Sequence, residues 1–388
     1  MNLYNDEIFS LAPSRSMEFI AKAKLMQKSD PSVISLAGGE PDFATPSPIC
    51  EEAVKWLRAG YTHYTICPGL PELRVGIAEK LKRDNNCNYD PDGIIVAPGG
   101  KFAIYLAIRS LVNKGDEVMY LEPGWVSYPA IIQASGATPV PVRLSQVDSF
   151  KLTREKLESA VTPNTKILIV NYPNNPTGKC LSQGELDDLV AFLEAHPQVL
   201  LMSDEIYERI VFTGSSNLSP ASIPQIASRV ITINGFSKAT AMTGWRCGYL
   251  ATTPEIAKVI YRLYQHTISC VSGFIQKAAV VALGCTEEIE QMRKRFEARR
   301  DLFINGMNSI PGVSAEMPEG AFYAWVKFDW NSMNSEEVCN LILEKARVVG
   351  VPGIAYGTDE PYVRFSFAES DEILAETVRR IKEVSPVK

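Results

Sequence analysis

The sequence predicts an α/β protein. A large unit built on a mostly parallel sheet covered by helices carries a smaller, discontinuous α+β unit. Three observations lead there. Between residues 90 and 250, short apolar β-branched runs recur (GIIVAPGG, DEVMYLEPG, KILIVNYPNNPTG, VLLMSDEIY, RVITINGFSK), each followed by a turn and a helical pattern. That alternation belongs to a parallel sheet with both faces covered. From about residue 287 the pattern changes to a long charged amphipathic segment, EEIEQMRKRFEARRDLFINGM, then short strands (GAFYAWVKF, YVRFSFA) and a final helix from Ser370, which reads as α+β. The opening helix, Met17 to Gln27, is too short to fold alone and is expected to pack on the C-terminal unit. The expected boundaries are 46–289 for the large unit, and 1–45 with 290–388 for the small one, N-terminal arm included.

Composition removes several function classes. The chain has 388 residues, 46% hydrophobic, and a net charge of −6, so it is globular rather than disordered. Basic residues are a minority without a clustered stripe, which argues against nucleic acid as a partner. Eight cysteines are scattered without a Cys-x-x-Cys pair and read as reduced thiols. His63, His196 and His266 lack metal-ligand spacing, so no metal site is expected. The N-terminus lacks the basic and apolar regions of a signal peptide. The uncharged stretch Pro123 to Val142 carries Pro123, Pro129, Pro139 and Pro141, too many for a membrane helix. A cytoplasmic protein without a membrane partner is expected.

In an open parallel sheet, ligands bind beyond the carboxyl ends of the strands. Gly99-Gly100-Lys101 follows IIVAP and opens the helix FAIYLAIRSL, placing free N–H groups and a positive dipole end where a phosphate could sit. The other turns supply Trp125, Asn175, Asp204 with Tyr207, and Ser237-Lys238. Singly, a Trp is usually core, an Asn before Pro a turn former and a Lys a surface charge. Jointly, an aromatic plate, an amide, an acid, a phenol, a lysine and a phosphate nest suit a flat, phosphorylated, aldehyde-bearing pyridine. Lys238 would be anchor and base, its amine kept partly neutral by burial. Asp204 would hold the ring nitrogen protonated, Tyr207 and Asn175 would reach the phenolic oxygen, and Trp125 would stack on the ring. Arg246 can reach the phosphate, and Arg364 can grip a substrate carboxylate bidentately.

These residues resemble the fold type I pyridoxal-phosphate aminotransferases, class I/II, in the prokaryotic-type aspartate aminotransferase group. The likeness is carried, in order, by SLAGGEPDF (35–43), THYTICPGLPELR (62–74), Gly99-Gly100-Lys101, EPGWVSYP, NYPNNPTG, SDEIYE, SKATAMTGWRCGY, GAFYAW and VRFSFA. The resemblance implies the cofactor pyridoxal 5'-phosphate, with Lys238 as its lysine and Asp204 as partner of the pyridine nitrogen. It further implies that the Gly39 backbone and Arg364 meet the substrate carboxylate, and that Tyr64 reaches the phosphate of a neighbouring subunit's cofactor, hence a homodimer. Gly124 stands where many relatives have an aromatic residue before the stacking Trp, and Thr240 where one often follows the lysine. Arg15 and Arg109 are candidate cations for an acidic substrate side chain. The implied reaction moves the α-amino group of an L-amino acid, aspartate-like or broad and aromatic, to a 2-oxo acid such as 2-oxoglutarate by a ping-pong cycle. A lyase, cyclase or decarboxylase on the same scaffold is the alternative, and a non-catalytic cofactor-binding regulator a remote one.

Overall fold

The computed structural model describes residues 3–13 and 15–387, with the side chains of residues 6, 7, 15 and 16 outside that description. Its strands, in chain order, are β1 (Ile34–Ser35), β2 (Ile94–Ala97), β3 (Glu117–Glu122), β4 (Thr138–Arg143), β5 (Thr165–Asn171), β6 (Leu200–Asp204), β7 (Val230–Gly235), β8 (Gly248–Ala251), β9 (Val313–Ala315), β10 (Tyr323–Phe328), β11 (Val348–Val349), β12 (Val351–Pro352) and β13 (Tyr362–Ser366).

Seven strands form one sheet in the order β2-β8-β7-β6-β5-β3-β4. All neighbours run parallel except β8, which is antiparallel to β2 and β7. The inner strands are apolar on both faces because both faces are covered. Leu121, Val170 and Leu201 join a core with Leu73, Ile77 and Phe192, whereas Ile95, Ile169 and Met202 join another with Ile104, Ile260 and Tyr264. Two strands escape the sequence pattern. β4 reads TPVPVR, and its prolines are accommodated because β4 is an edge strand whose outer side needs no donors; β8 reads GYLA, without a β-branched residue.

The second sheet, β12-β13-β10-β9, is antiparallel. The helices Thr286–Asn308 and Asp371–Val384 cover it, with Phe296, Phe303, Phe322, Phe328, Phe365 and Trp330 fully buried between them. Ser370 caps the last helix by accepting the Ile373 N–H at 3.3 Å, satisfying one of its free donors. The N-terminal segment is stitched to this unit. Ile34 and Ser35 pair in parallel with Val348 and Val349, and Arg299 grips Asp42 through two 2.8 Å bonds. The helix Arg15–Ser29 buries Ala23 beside Val349, Val351 and Trp325.

Candidate active site

Five turns at the carboxyl ends of β2, β3, β5, β6 and β7 meet the segment Gly38–Glu40 and the small sheet around one cavity of about 460 Å³. Its lining includes Gly39, Gly100, Lys101, Trp125, Asn175, Asp204, Tyr207, Ser237, Lys238, Arg246 and Arg364.

Lys238 sits on the turn after β7 and donates to the Gly39 carbonyl at 2.6 Å. Burial pulls its amine down to about 8, aided by Arg364 and Arg246 and opposed by Glu40, because a buried ammonium loses hydration. Asp204 ends β6. Tyr128 O–H donates to its Oδ2 at 2.7 Å and the Ile206 N–H to its Oδ1 at 3.3 Å. Burial raises the Asp204 carboxyl to about 6, against the pull of those two bonds and of Lys238.

Asn171 locks two of these turns together. Its amide donates to the Asp204 carbonyl at 2.9 Å, and its Oδ1 accepts the Asn175 N–H at 2.9 Å. Asn175 Oδ1 in turn accepts from Arg364 Nη1 at 3.1 Å, and Arg364 Nη2 donates to the Ala37 carbonyl at 2.7 Å. The Arg364 guanidinium lies 4.4 Å from the Tyr323 ring centroid. Its Nε is buried without an acceptor among the described residues. Tyr207 and Tyr323 share a 2.8 Å bond between their hydroxyls.

The phosphate-nest candidate is built as a close approach. Gly99 has φ +84°, which favours glycine, and a Cβ there would lie 2.8 Å from Arg246 Nη2. Gly99 itself stands behind that guanidinium rather than in the lining. Arg246 donates to the Thr243 carbonyl at 2.9 Å and the Pro98 carbonyl at 3.3 Å. Lys101 opens the helix Gly100–Leu111 and holds its amine 5.0 Å from the Trp125 ring centroid. Burial lowers that amine, helped by Arg246.

Some expected residues lie elsewhere. Tyr64 is 89% exposed and outside this cavity. Arg109 is exposed in the last turn of Gly100–Leu111, about 12 Å along the helix from Lys101, and the Arg15 side chain lies outside those described. The cavity lining thus lacks Arg109 and holds Lys101, which the sequence had offered only as part of the phosphate turn. Gly124 is required by its backbone, since a Cβ would lie 2.0 Å from the Leu121 carbonyl oxygen. Sequence reading missed Tyr128, Asn171 and Tyr323, although each lies inside a quoted segment. Tyr128 also packs edge-on against Trp125 at 5.2 Å.

Residues 31–381 match the family model for aminotransferase class I and II. The chain is 39% identical over 387 residues to the bifunctional aspartate aminotransferase and glutamate/aspartate-prephenate aminotransferase of Petunia hybrida, covering 96% of this chain and 81% of that one. It is 38% identical over 382 residues to the aspartate aminotransferase of Bacillus subtilis (strain 168), covering 97% of each. The crystal structure of the aspartate aminotransferase from Rhizobium meliloti superposes with a TM-score of 0.95 at 36% identity, covering 99% of both chains.

Proposed function

The chain belongs to the aminotransferase class I and II family and is a pyridoxal-phosphate-dependent aminotransferase, and from that premise we propose that it transfers the amino group of a dicarboxylic L-amino acid, aspartate or glutamate, to a 2-oxo acid. The observation that carries this reading is Lys101. Its ammonium lies in the same cavity as Arg364 and pairs with no carboxylate among the described residues. With Lys238 and Arg246 given to the cofactor, Lys101 and Arg364 are the two basic residues of the cavity left for a substrate with two carboxylates.

The residues present fit the cofactor. The Gly99-Gly100 turn presents a helix N-terminus to a phosphate with Arg246 beside it, Trp125 offers a plate, and buried Asp204 and half-buried Lys238 face the same space. Pyridoxal phosphate supplies an aldehyde that condenses with amines and a ring that accepts electrons. Asp204, ionised, would hold the proton on the ring nitrogen. Tyr128 would act as a positioning residue that fixes the Asp204 carboxylate. Asn175, its oxygen committed to Arg364, would direct its amide N–H to the phenolic oxygen, alongside Tyr207. Lys238 Nζ would take the proton from the substrate Cα, its lowered basicity leaving a neutral fraction near pH 7. Arg364 would clamp the α-carboxylate, filling its orphan Nε, with the Gly39 backbone nearby.

The 46–289 unit would then hold the cofactor and the discontinuous unit would close on it. A cytoplasmic homodimer, with Tyr64 reaching the partner's phosphate, belongs to the same proposal. Exposure of Tyr64 supports it.

A donor panel with 2-oxoglutarate, run on the wild type and Lys101→Ala, tests the substrate class. Aspartate and glutamate should lead. Lys101→Ala should lower kcat/KM for them by about 10- to 100-fold, the worth of one charged hydrogen bond, and leave alanine and phenylalanine within a few-fold. An equal loss for all donors defeats the reading. Prephenate belongs among the acceptors, because the Petunia relative is named for it.

A further inference from the structure

A second cavity, of about 220 Å³, lies on the Arg364 face of the small sheet. Trp325 on β10 stands opposite Arg364 on β13, and Tyr362 precedes Arg364 by two residues, so the three side chains share one face. Arg364 lines the first cavity; Trp325 and Tyr362 line the second. Tyr356 touches both neighbourhoods, with its ring 5.4 Å from Trp325 and 5.3 Å from the Arg364 guanidinium.

One part of this cavity is aromatic. Trp325 and Tyr362 stack with centroids 4.9 Å apart, and Phe150 meets Tyr362 edge-on at 6.1 Å. Trp325 is 4% exposed, yet its indole N–H has no acceptor among the described residues, and buried donors are ordinarily paired. Tyr362 O–H donates to Gln146 Oε1, which leaves the Gln146 amide N–H groups to spend. The exposed part is acidic. Glu316 accepts from Ser149 Oγ at 3.2 Å and Glu319 from the Cys180 N–H at 2.8 Å, so each keeps one oxygen uncommitted. The cation there, Lys179, is already bonded to the Ser149 carbonyl at 3.1 Å and paired with Glu185 at 3.4 Å. Spare acceptors thus lie with the acids and spare donors with the aromatic rings. A simple cation would leave Trp325 unpaired, and a simple anion would meet two carboxylates.

We propose that this cavity is a second amino-acid site, separate from the one where transamination occurs. It takes the zwitterion: Glu316 and Glu319 hold the ammonium, the Trp325 indole and Gln146 amide hold the carboxylate, and Phe150 and Tyr362 flank the side chain. The test is equilibrium dialysis of the holoenzyme saturated with maleate, using the nineteen radiolabelled L-amino acids and glycine one at a time, with ethylamine and acetate as separate halves. Filling the first site with a dicarboxylate rests on the substrate class proposed above; a maleate titration that leaves the cofactor's absorbance unchanged would defeat that reading and not this one. At least one amino acid should bind at one equivalent per chain and weaken at least tenfold in Glu316→Gln/Glu319→Gln and in Trp325→Phe. The double variant should keep the wild-type turnover measured at low amino-acid concentration. Abolition of all binding by maleate, unchanged binding in the variants, or ethylamine binding as tightly as the amino acid overturns the proposal.

Discussion

Lys238 and Asp204 are both shifted by burial, in directions that set opposite pH limits. As the proposed cofactor lysine, Lys238 would react only when neutral, and its value near 8 makes that fraction rise about tenfold per pH unit below 8. Recombination of cofactor-free protein with pyridoxal phosphate, followed by absorbance, should therefore accelerate with pH and level off above about 8; a plateau near 10.5 would show an ordinary lysine. Asp204 works the other way. Its folded value, about 6, lies above the ordinary 3.8, so the cofactor-free fold binds the extra proton between those values and loses stability as pH rises through them. Above pH 6, Asp204→Asn should stabilise the cofactor-free protein by up to about 3 kcal/mol, read by urea denaturation, while cofactor affinity falls. Tyr128→Phe removes the 2.7 Å bond to Asp204. It should weaken cofactor binding by about tenfold, one buried charged bond, without changing the order of donors; unchanged affinity would reduce Tyr128 to packing. That Lys238, Asp204, Asn175 and Arg364 would meet in one cavity was legible from their joint chemistry and chain order, since each alone reads as an ordinary turn, surface or ion-pair residue. Tyr128 and Tyr323 were not, because the chain has 15 tyrosines and only the folded arrangement selects the two that bond to site residues.

At the level of elements, the apolar strands announced themselves and the exceptions did not. β4 hides behind two prolines that only an edge position permits, and β8, GYLA, behind its lack of any β-branched residue. The hidden β8 nevertheless shapes the site. It is wedged antiparallel between β2 and β7, and a Cβ at Gly248 would lie 2.7 Å from the Gly100 backbone nitrogen and 2.8 Å from the Gly99 carbonyl carbon. The glycine lets the Gly99-Gly100 turn rest on the strand. Gly248→Ala should push that turn away, costing about 1–3 kcal/mol of stability and raising the cofactor Kd more than the KM for donor. A variant that retains cofactor as the wild type does would show that the turn has slack.

For the whole molecule, the division into a sheet-centred unit and a discontinuous one was readable from the change in pattern near residue 287. The stitching of the N-terminal segment by Asp42 and Arg299 was not, because an ion pair between residues 257 apart in sequence leaves no local trace. If Tyr64 serves a partner's site, sedimentation should give twice the mass of the 388-residue chain. Tyr64→Phe should then raise the cofactor Kd without altering that mass; a monomer with full activity would sink the homodimer.

The pairing of Ile34 with Val348 also bears on how the protein is made. On a ribosome adding about 5–20 residues per second, residues 34–39 wait on the order of 15–60 s for their partners to be synthesised, while the seven-stranded sheet, complete by residue 251, is free to form. A nascent chain is thus free to assemble the turns that would hold the cofactor well before Arg364 emerges, and the proposed clamp would be the last part of the catalyst to arrive.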